Sequence, residues 1–188
     1  MKSDPTAKIT CFHYLDHHSR PCEKPVVRET AWTLYVNGRE LVTMLCTPNK
    51  LNFLVLGFLA SEGIINSLDD VALLRICEEE GEIIDVRLTR EEVAFPQRRV
   101  LLSGCGGGVT FDDFTSVYSS LSSSLCIGTG QLSILMRDLC QRAEVYQAAG
   151  GTHASSLSDG ERLLVIAEDV GRHNTLDKIR GECLYKGI

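Results

Sequence analysis

The 188-residue chain lacks an apolar run long enough to cross a bilayer, and its N-terminus lacks the apolar stretch of a signal peptide. It also lacks an excess of basic residues. Its net charge is −6 and its isoelectric point is about 5.4, which argues against general binding to nucleic acid or anionic membranes. No two of its eight cysteines form a Cys-x-x-Cys motif. We therefore expect reduced, mostly buried thiols in a cytoplasmic protein rather than a disulfide framework.

Hydrophobic residues make up 44% of the chain and the mean hydropathy is near zero, which fits one soluble domain, or one domain with a small appendage. The composition predicts a polar, weakly structured leader over residues 1–25. An N-terminal β-rich region with one helix is expected over 26–100, and a second region over 101–188. The leader contains histidines and cysteines, but their irregular spacing disfavours a zinc site, and we expect no metal ligands.

Turn signals and periodicity predict the elements that precede the last forty residues. Asn37-Gly38 predicts a β-hairpin over 30–46. Thr47 and Pro48 are expected to open a helix as N-cap and first helical residue, and Gly63 to end it. The further expectations are strands at 71–77 and 83–89, a helix beginning at the capping-box sequence Thr110–Asp113, and a helix over 131–148.

The most informative segment is residues 168–178, which follows an apolar run at 163–167. A buried strand is expected to end there, with a new helix starting at Asn174, and ligands bind at such junctions in open α/β sheets. Helix amides, Arg172 and Lys178 would contact a phosphate. The alternative is a plain helix start, in which Asn174 is the N-cap and Asp177 lies in the first turn.

A second hairpin is expected to bring a glycine loop to this junction. Asp159-Gly160 suits a two-residue turn between strands at 152–157 and 162–167. That register would place His153 opposite Ile166 and Gly150 opposite Asp169. The loop 150–153 and residues 169–173 would then form a ligand cradle with two titratable imidazoles. The alternative is that His153 caps a strand end and His173 simply faces solvent.

The third unusual segment, residues 103–108, contains four glycines around Cys105. A glycine-rich loop suits a thiol that hands sulfur between partners, and Arg98 and Arg99 are candidates to lower its pKa. The alternative is a flexible loop whose cysteine is incidental.

Together these segments resemble the FdhD family of accessory sulfurtransferases for formate dehydrogenase. The resemblance rests on sequence blocks along most of the chain: Val36-Asn37-Gly38, Thr47-Pro48, Gly57-Phe58-Leu59, Glu62–Ile65, Gly150–Ala154, Asp169–Asn174 and Asp177-Lys178.

The resemblance implies that Cys105 accepts sulfur as a persulfide from a cysteine desulfurase. The sulfur would then pass to molybdenum in the bis-molybdopterin guanine dinucleotide cofactor, before formate dehydrogenase receives the cofactor. The implied fold is a cytidine-deaminase-like α/β (α+β) layer preceded by a smaller β-rich region, in a homodimer. The implied contacts to the cofactor and its GDP-like moiety are Gly151, Thr152, His153, Asp169, Arg172, His173, Asn174 and Lys178.

Two departures from the family pattern are visible. Gly108 stands where many members have a second loop cysteine, and the chain stops at Ile188, where members continue. We expect either a fragment or a shortened paralogue. The alternative function is a non-catalytic chaperone that binds the molybdenum cofactor. A nucleotide hydrolase acting through His153, His173 and Asp169 is disfavoured, because the chain has no Walker loop.

Overall fold

The computed structural model describes residues 4–78, 81–91, 100–101, 109–110 and 122–188. Within these ranges the chain has a mixed α+β fold. Cys105 and the helix expected after Thr110 lie outside them, although Thr110 itself belongs to a strand and Leu125, expected on that helix, has no regular secondary structure. The elements are β1 Thr6–Leu15, β2 His18–Val27, β3 Thr30–Val36, β4 Arg39–Cys46, α1 Leu51–Ser61, β5 Val71–Cys77, β6 Ile83–Leu88, β7 Val100–Leu101, β8 Val109–Thr110, α2 Thr129–Arg142, α3 Glu144–Ala149, β9 His153–Ser158, β10 Leu163–Asp169 and α4 Arg172–Lys186.

The largest sheet has the strand order β4-β3-β6-β5, with β3 parallel to β6 and the other neighbours antiparallel. The expected hairpin is confirmed: Asn37 and Gly38 both have positive φ, as a type I′ turn requires. The Asn37 side chain also accepts a hydrogen bond from the Leu88 amide at 2.8 Å. The turn therefore ties β3 to β6 as well as to β4.

Helix α1 covers this sheet and fills the main core with the expected residues, Leu51, Leu54, Val55, Phe58 and Leu59. Its end is as expected. Gly63 has φ +68°, and the amides of Gly63 and Ile64 bond back to the carbonyls of Ala60 and Leu59.

The start of α1 differs from the expectation. The helix begins at Leu51, and its N-cap position is Lys50 in a left-handed conformation. Thr47 is not the cap, because its amide bonds to Asp169 and its hydroxyl accepts the Val170 amide. Contacts to residues more than 120 positions away therefore decide how this segment folds.

Helix α4 packs closely against α1 at two glycines. A Cβ added at Gly57 would overlap the Asp177 carbonyl, and one added at Gly181 would overlap the Phe53 carbonyl. The two glycines let the helix backbones touch. The β9–β10 hairpin also packs against α4, and its Val165 shares a second buried cluster with Ile179.

The hairpin β9–β10 is present, but its expected register is wrong. Asp169 pairs with His153, and Ile166 pairs with Ser156. Four residues, 159–162, separate the innermost pair Ser158↔Leu163, and the Asp159 carboxylate accepts the amides of Glu161 and Arg162. A longer turn and a bulge after Leu163 therefore shift the pairing by three residues.

The helix expected over 131–148 is interrupted at Ala143, which separates α2 from α3. The Glu168 carboxylate accepts the amides of Val145 and Tyr146 and so caps α3 from strand β10. In α2, Leu135 and Leu139 pack on the outer face of the hairpin.

The leader also differs from the expectation, because β1 and β2 form a ten-pair antiparallel hairpin. Its turn, Asp16-His17, has positive φ at both residues and no glycine to signal it. The cysteine expectation is likewise wrong in part: of the seven described cysteines only Cys46 is buried. In the described ranges, no helix is long and apolar enough to span a bilayer.

Candidate functional site

Asp169 ends strand β10 in a fully buried position and organises the junction with α4. One carboxylate oxygen accepts the Gly171 amide and the Asn174 side-chain amide, both at 2.8 Å. The other accepts the Thr47 amide at 3.1 Å and the Lys178 ammonium at 2.6 Å. Asp169 therefore joins three separate segments: the chain before α1, the end of β10 and the first turns of α4.

Lys178 lies at the centre of this junction and is also fully buried. Besides Asp169, its ammonium donates to the Asn49 side chain at 2.6 Å and to the carbonyls of Thr47 and Glu168, both at 3.1 Å. Burial lowers the pKa of Lys178, and the Asp169 carboxylate opposes that shift. The sequence predicts a phosphate contact here, but the structure directs the ammonium at four acceptors within the protein.

Asn174 also points into the protein. Its side-chain amide donates to the Leu45 carbonyl at 2.9 Å as well as to Asp169. Helix α4 begins at Arg172 with Gly171 in the N-cap position, two residues earlier than expected. Asn174 is therefore not the N-cap of α4; it fastens the first turn of the helix to strand β4.

Thr152 completes the inward-facing group. It is buried, and its hydroxyl donates to the Glu168 carboxylate at 3.4 Å. Together Thr152, Asp169, Asn174 and Lys178 form what we call the internal frame. Thr47 and Glu168 belong to it too, but sequence reasoning missed these roles. The sequence offered one signal for each: Thr47 is a polar residue directly after a predicted strand, and Glu168 is a polar residue at the end of the apolar run 163–167.

The remaining site residues reach the surface, fully or in part. His153 and Arg172 are exposed, His173 is half-buried, and Gly151 lies on the surface with φ +76°. Because His153 pairs with Asp169, the 150–153 loop lies beside the start of α4 as expected, despite the shifted register. We call Gly151, His153, Arg172 and His173 the exposed face. A helix start with a guanidinium and two imidazoles is suited to binding an anion such as a phosphate.

The Cys46 thiol, beside Asp169 and Lys178, is unsuited to nucleophilic chemistry. Cys46 is buried under the internal frame, and burial, with the Asp169 carboxylate adding to it, raises the pKa of Cys46 to about 12. Its thiolate fraction at neutral pH is therefore negligible. Within the described ranges, no three histidine, cysteine or acidic side chains are arranged to hold a metal ion.

Residues 27–188 match the model of the FdhD/NarQ family. The chain belongs to the FdhD/NarQ family. The expected resemblance is thereby confirmed, and it covers both the internal frame and the exposed face.

Several curated relatives carry the name sulfur carrier protein FdhD. The protein from Bacillus subtilis is 34% identical over 193 residues, covering 100% of this chain and 73% of the relative. Those from Shouchella clausii and Halalkalibacterium halodurans are 34% and 38% identical, with 88% of this chain and 65% and 64% of each relative covered. The chain thus spans about two thirds of the length of these relatives.

A solved structure from Desulfotalea psychrophila, assigned as a formate dehydrogenase accessory protein, superposes with a TM-score of 0.70. The match covers 98% of this chain and 69% of that one at 19% identity. It supports the mixed α+β fold.

Proposed function

We propose that this family member carries sulfur for the maturation of formate dehydrogenase. Family membership over residues 27–188 and the shared name of its relatives support this function. The observation that carries it is the division of the site. The internal frame fixes the start of α4, where Arg172 and His153 are exposed and His173 is half-buried.

Cys105 is the proposed sulfur carrier. A thiolate at Cys105 attacks the outer sulfur of a persulfide on a cysteine desulfurase, and a new S–S bond forms as the donor S–S bond breaks. The desulfurase thiolate leaves, Cys105 becomes the persulfide, and no external oxidant is required. The glycines on both sides of Cys105 support the role, because they allow close approach of two partners. Cys46 is excluded as the carrier by its burial.

The acceptor of the sulfur is proposed to be molybdenum in the bis-molybdopterin guanine dinucleotide cofactor, which is bound as a substrate. The exposed face fits the phosphate and guanine parts of such a ligand. Arg172 and the amides at the start of α4 would bind phosphate oxygens, and His153 or His173 would donate or accept a hydrogen bond. The internal frame would orient this face without touching the ligand.

The remaining expectations belong to the same proposal. The protein would act as a transferase that is regenerated after each delivery, as a cytoplasmic homodimer with a cytidine-deaminase-like α/β layer. Its partners would be a cysteine desulfurase and formate dehydrogenase. The solved structure from Desulfotalea psychrophila, described as a formate dehydrogenase accessory protein, supports the last of these partners.

Intact-protein mass spectrometry after incubation with a cysteine desulfurase and cysteine tests the proposal. We expect a gain of one sulfur atom that dithiothreitol removes and that Cys105→Ala abolishes. Cys126→Ala is the matched control, because Cys126 is an exposed thiol in the described structure. A gain that persists in Cys105→Ala and disappears in Cys126→Ala would overturn the assignment. No gain in any variant, with GDP binding intact, would favour the cofactor-binding chaperone.

A further inference from the structure

The hairpin β1–β2 places two thiols directly opposite each other outside the site described above. Cys11 pairs with Cys22 across the ladder, and their Sγ atoms lie 3.3 Å apart. Both residues are half-buried, so small reagents reach them. Apart from Val27 at its end, the hairpin precedes the segment that matches the family model.

The geometry of the hairpin allows these sulfurs to bond. The two-residue turn Asp16-His17 makes Leu15↔His18 the closing hydrogen-bonded pair, and such pairs then alternate along the ladder. By that alternation Cys11↔Cys22 is a hydrogen-bonded pair, with a typical Cα separation of about 5.5 Å. This separation is near the commonest value for disulfides, and the sulfurs need to approach by about 1.3 Å to reach bonding distance.

The positions of the prolines in β2 support the same alternation. Pro21 lies opposite Phe12 and Pro25 lies opposite Lys8. Both fall at non-hydrogen-bonded positions, where a residue without an N–H costs the ladder nothing. The strand pair is therefore regular on both sides of the cysteines, and forming a bond between them requires no change of register.

Basic side chains share the face of the thiol pair. Residues two positions away in each strand point the same way, which places His13, Arg20 and Lys24 around Cys11 and Cys22. All three are exposed. The cationic side chains among them, Arg20 and Lys24, favour the thiolate and attract anionic thiol reagents. The hydrogen bond with Cys22 raises the pKa of Cys11, partial burial adds to this, and Lys24 opposes it.

We propose that Cys11 and Cys22 form a dithiol–disulfide site that exchanges with small-molecule disulfides such as oxidised glutathione. One thiolate attacks the small disulfide, forms a mixed disulfide and releases one glutathione thiolate. The second protein thiolate then attacks the protein sulfur of that bond, closes the Cys11–Cys22 disulfide and releases the second glutathione. Two protein thiols lose two electrons and two protons, and one disulfide is reduced to two thiols.

The 188-residue chain is equilibrated at pH 8 with graded ratios of oxidised to reduced glutathione, quenched and alkylated. An endoprotease that cuts before Asp16 then separates the two cysteines. We expect a peptide pair joined through Cys11 and Cys22, whose fraction rises with the ratio and disappears with dithiothreitol. Cys126→Ser should leave this yield unchanged, whereas Cys11→Ser should stop at a glutathione adduct on Cys22.

Two results would overturn the proposal: separate glutathione adducts on Cys11 and Cys22 without a joined pair, or both thiols alkylated at every ratio. The measurement on the unsubstituted protein decides the question even if a variant fails to fold. Cys105→Ala should retain the joined pair, so this site and the proposed sulfur carrier succeed or fail separately.

Discussion

Replacing Lys178 with methionine should strongly destabilise the protein. The change removes the ammonium group that compensates the charge of the buried Asp169 carboxylate. Breaking a buried ion pair by removing one partner costs about 3–5 kcal/mol. The carbonyls of Thr47 and Glu168 would also lose their ammonium donor. A domain of this kind has a total stability of about 5–15 kcal/mol, so the loss is a large share of it.

Lys186→Met is the matched control. Lys186 lies on the same helix and also pairs with a carboxylate, Glu182, at 2.6 Å, but its side chain is 46% exposed. An ion pair at such a position contributes about 0–1 kcal/mol.

Urea denaturation followed by circular dichroism measures both effects. With a slope of about 2 kcal/mol per molar urea, Lys178→Met should lower the midpoint by about 2 M and Lys186→Met by less than about 0.5 M. Equal midpoints for the two variants would refute the reasoning, because Lys178 would then not be an internal structural residue. The double variant, Asp169→Asn with Lys178→Met, should lose less free energy of unfolding than the two single variants lose in sum. That result would confirm that the two charges compensate each other.

Two further predictions concern the contact between α1 and α4. Gly57→Ala should destabilise the protein by about 1–3 kcal/mol or more, because the added methyl group overlaps the Asp177 carbonyl. Gly130→Ala is the control: nothing lies near Gly130 in α2, so this change should stabilise the protein by about 0.5–1 kcal/mol. Comparable urea midpoints for the two variants would contradict this prediction. Burial raises the pKa of Asp177 from 3.8 to about 7, so the folded state holds a proton that the unfolded chain has lost, and stability should fall by up to about 4 kcal/mol as pH rises from about 4 to 7. Asp177→Asn should remove this slope in urea titrations at pH 5 and pH 8, and an unchanged slope would show that another group causes it.

Features set by short-range chemistry could be predicted from the sequence. The turn at Asn37-Gly38 and the helix end at Gly63 depend on residues that adopt positive φ, and both occur where expected. The position of the 150–153 loop beside Asp169 also followed from a hairpin, because either register brings the two ends together.

Features set by distant contacts could not be predicted in the same way. The Glu168 carboxylate divides a continuous helical pattern at Ala143, and Thr47 bonds to Asp169 instead of capping α1. Neither contact has a local sequence signal, since each joins segments that meet only after folding. For the same reason the sequence predicted that Lys178 contacts a ligand, whereas its ammonium group forms a buried ion pair with Asp169.

The turn of the first hairpin was missed for a different reason. Asp16 and His17 adopt the left-handed conformation without a glycine, and the pairing of β1 with β2 depends on the whole ladder rather than on that dipeptide. Polar residues on both faces of this ribbon also hide the alternation that normally marks a strand.

The division of the site into an internal frame and an exposed face is tested most directly by calorimetric titration with GDP. Arg172→Ala should weaken binding by about 10- to 100-fold, the effect of one charge-assisted hydrogen bond to phosphate. Arg162 is an exposed arginine in the turn of the β9–β10 hairpin, at the opposite end from His153. Arg162→Ala should therefore bind GDP as the unsubstituted protein does. Equal affinities for the two variants, or no GDP binding by the unsubstituted protein, would contradict the account.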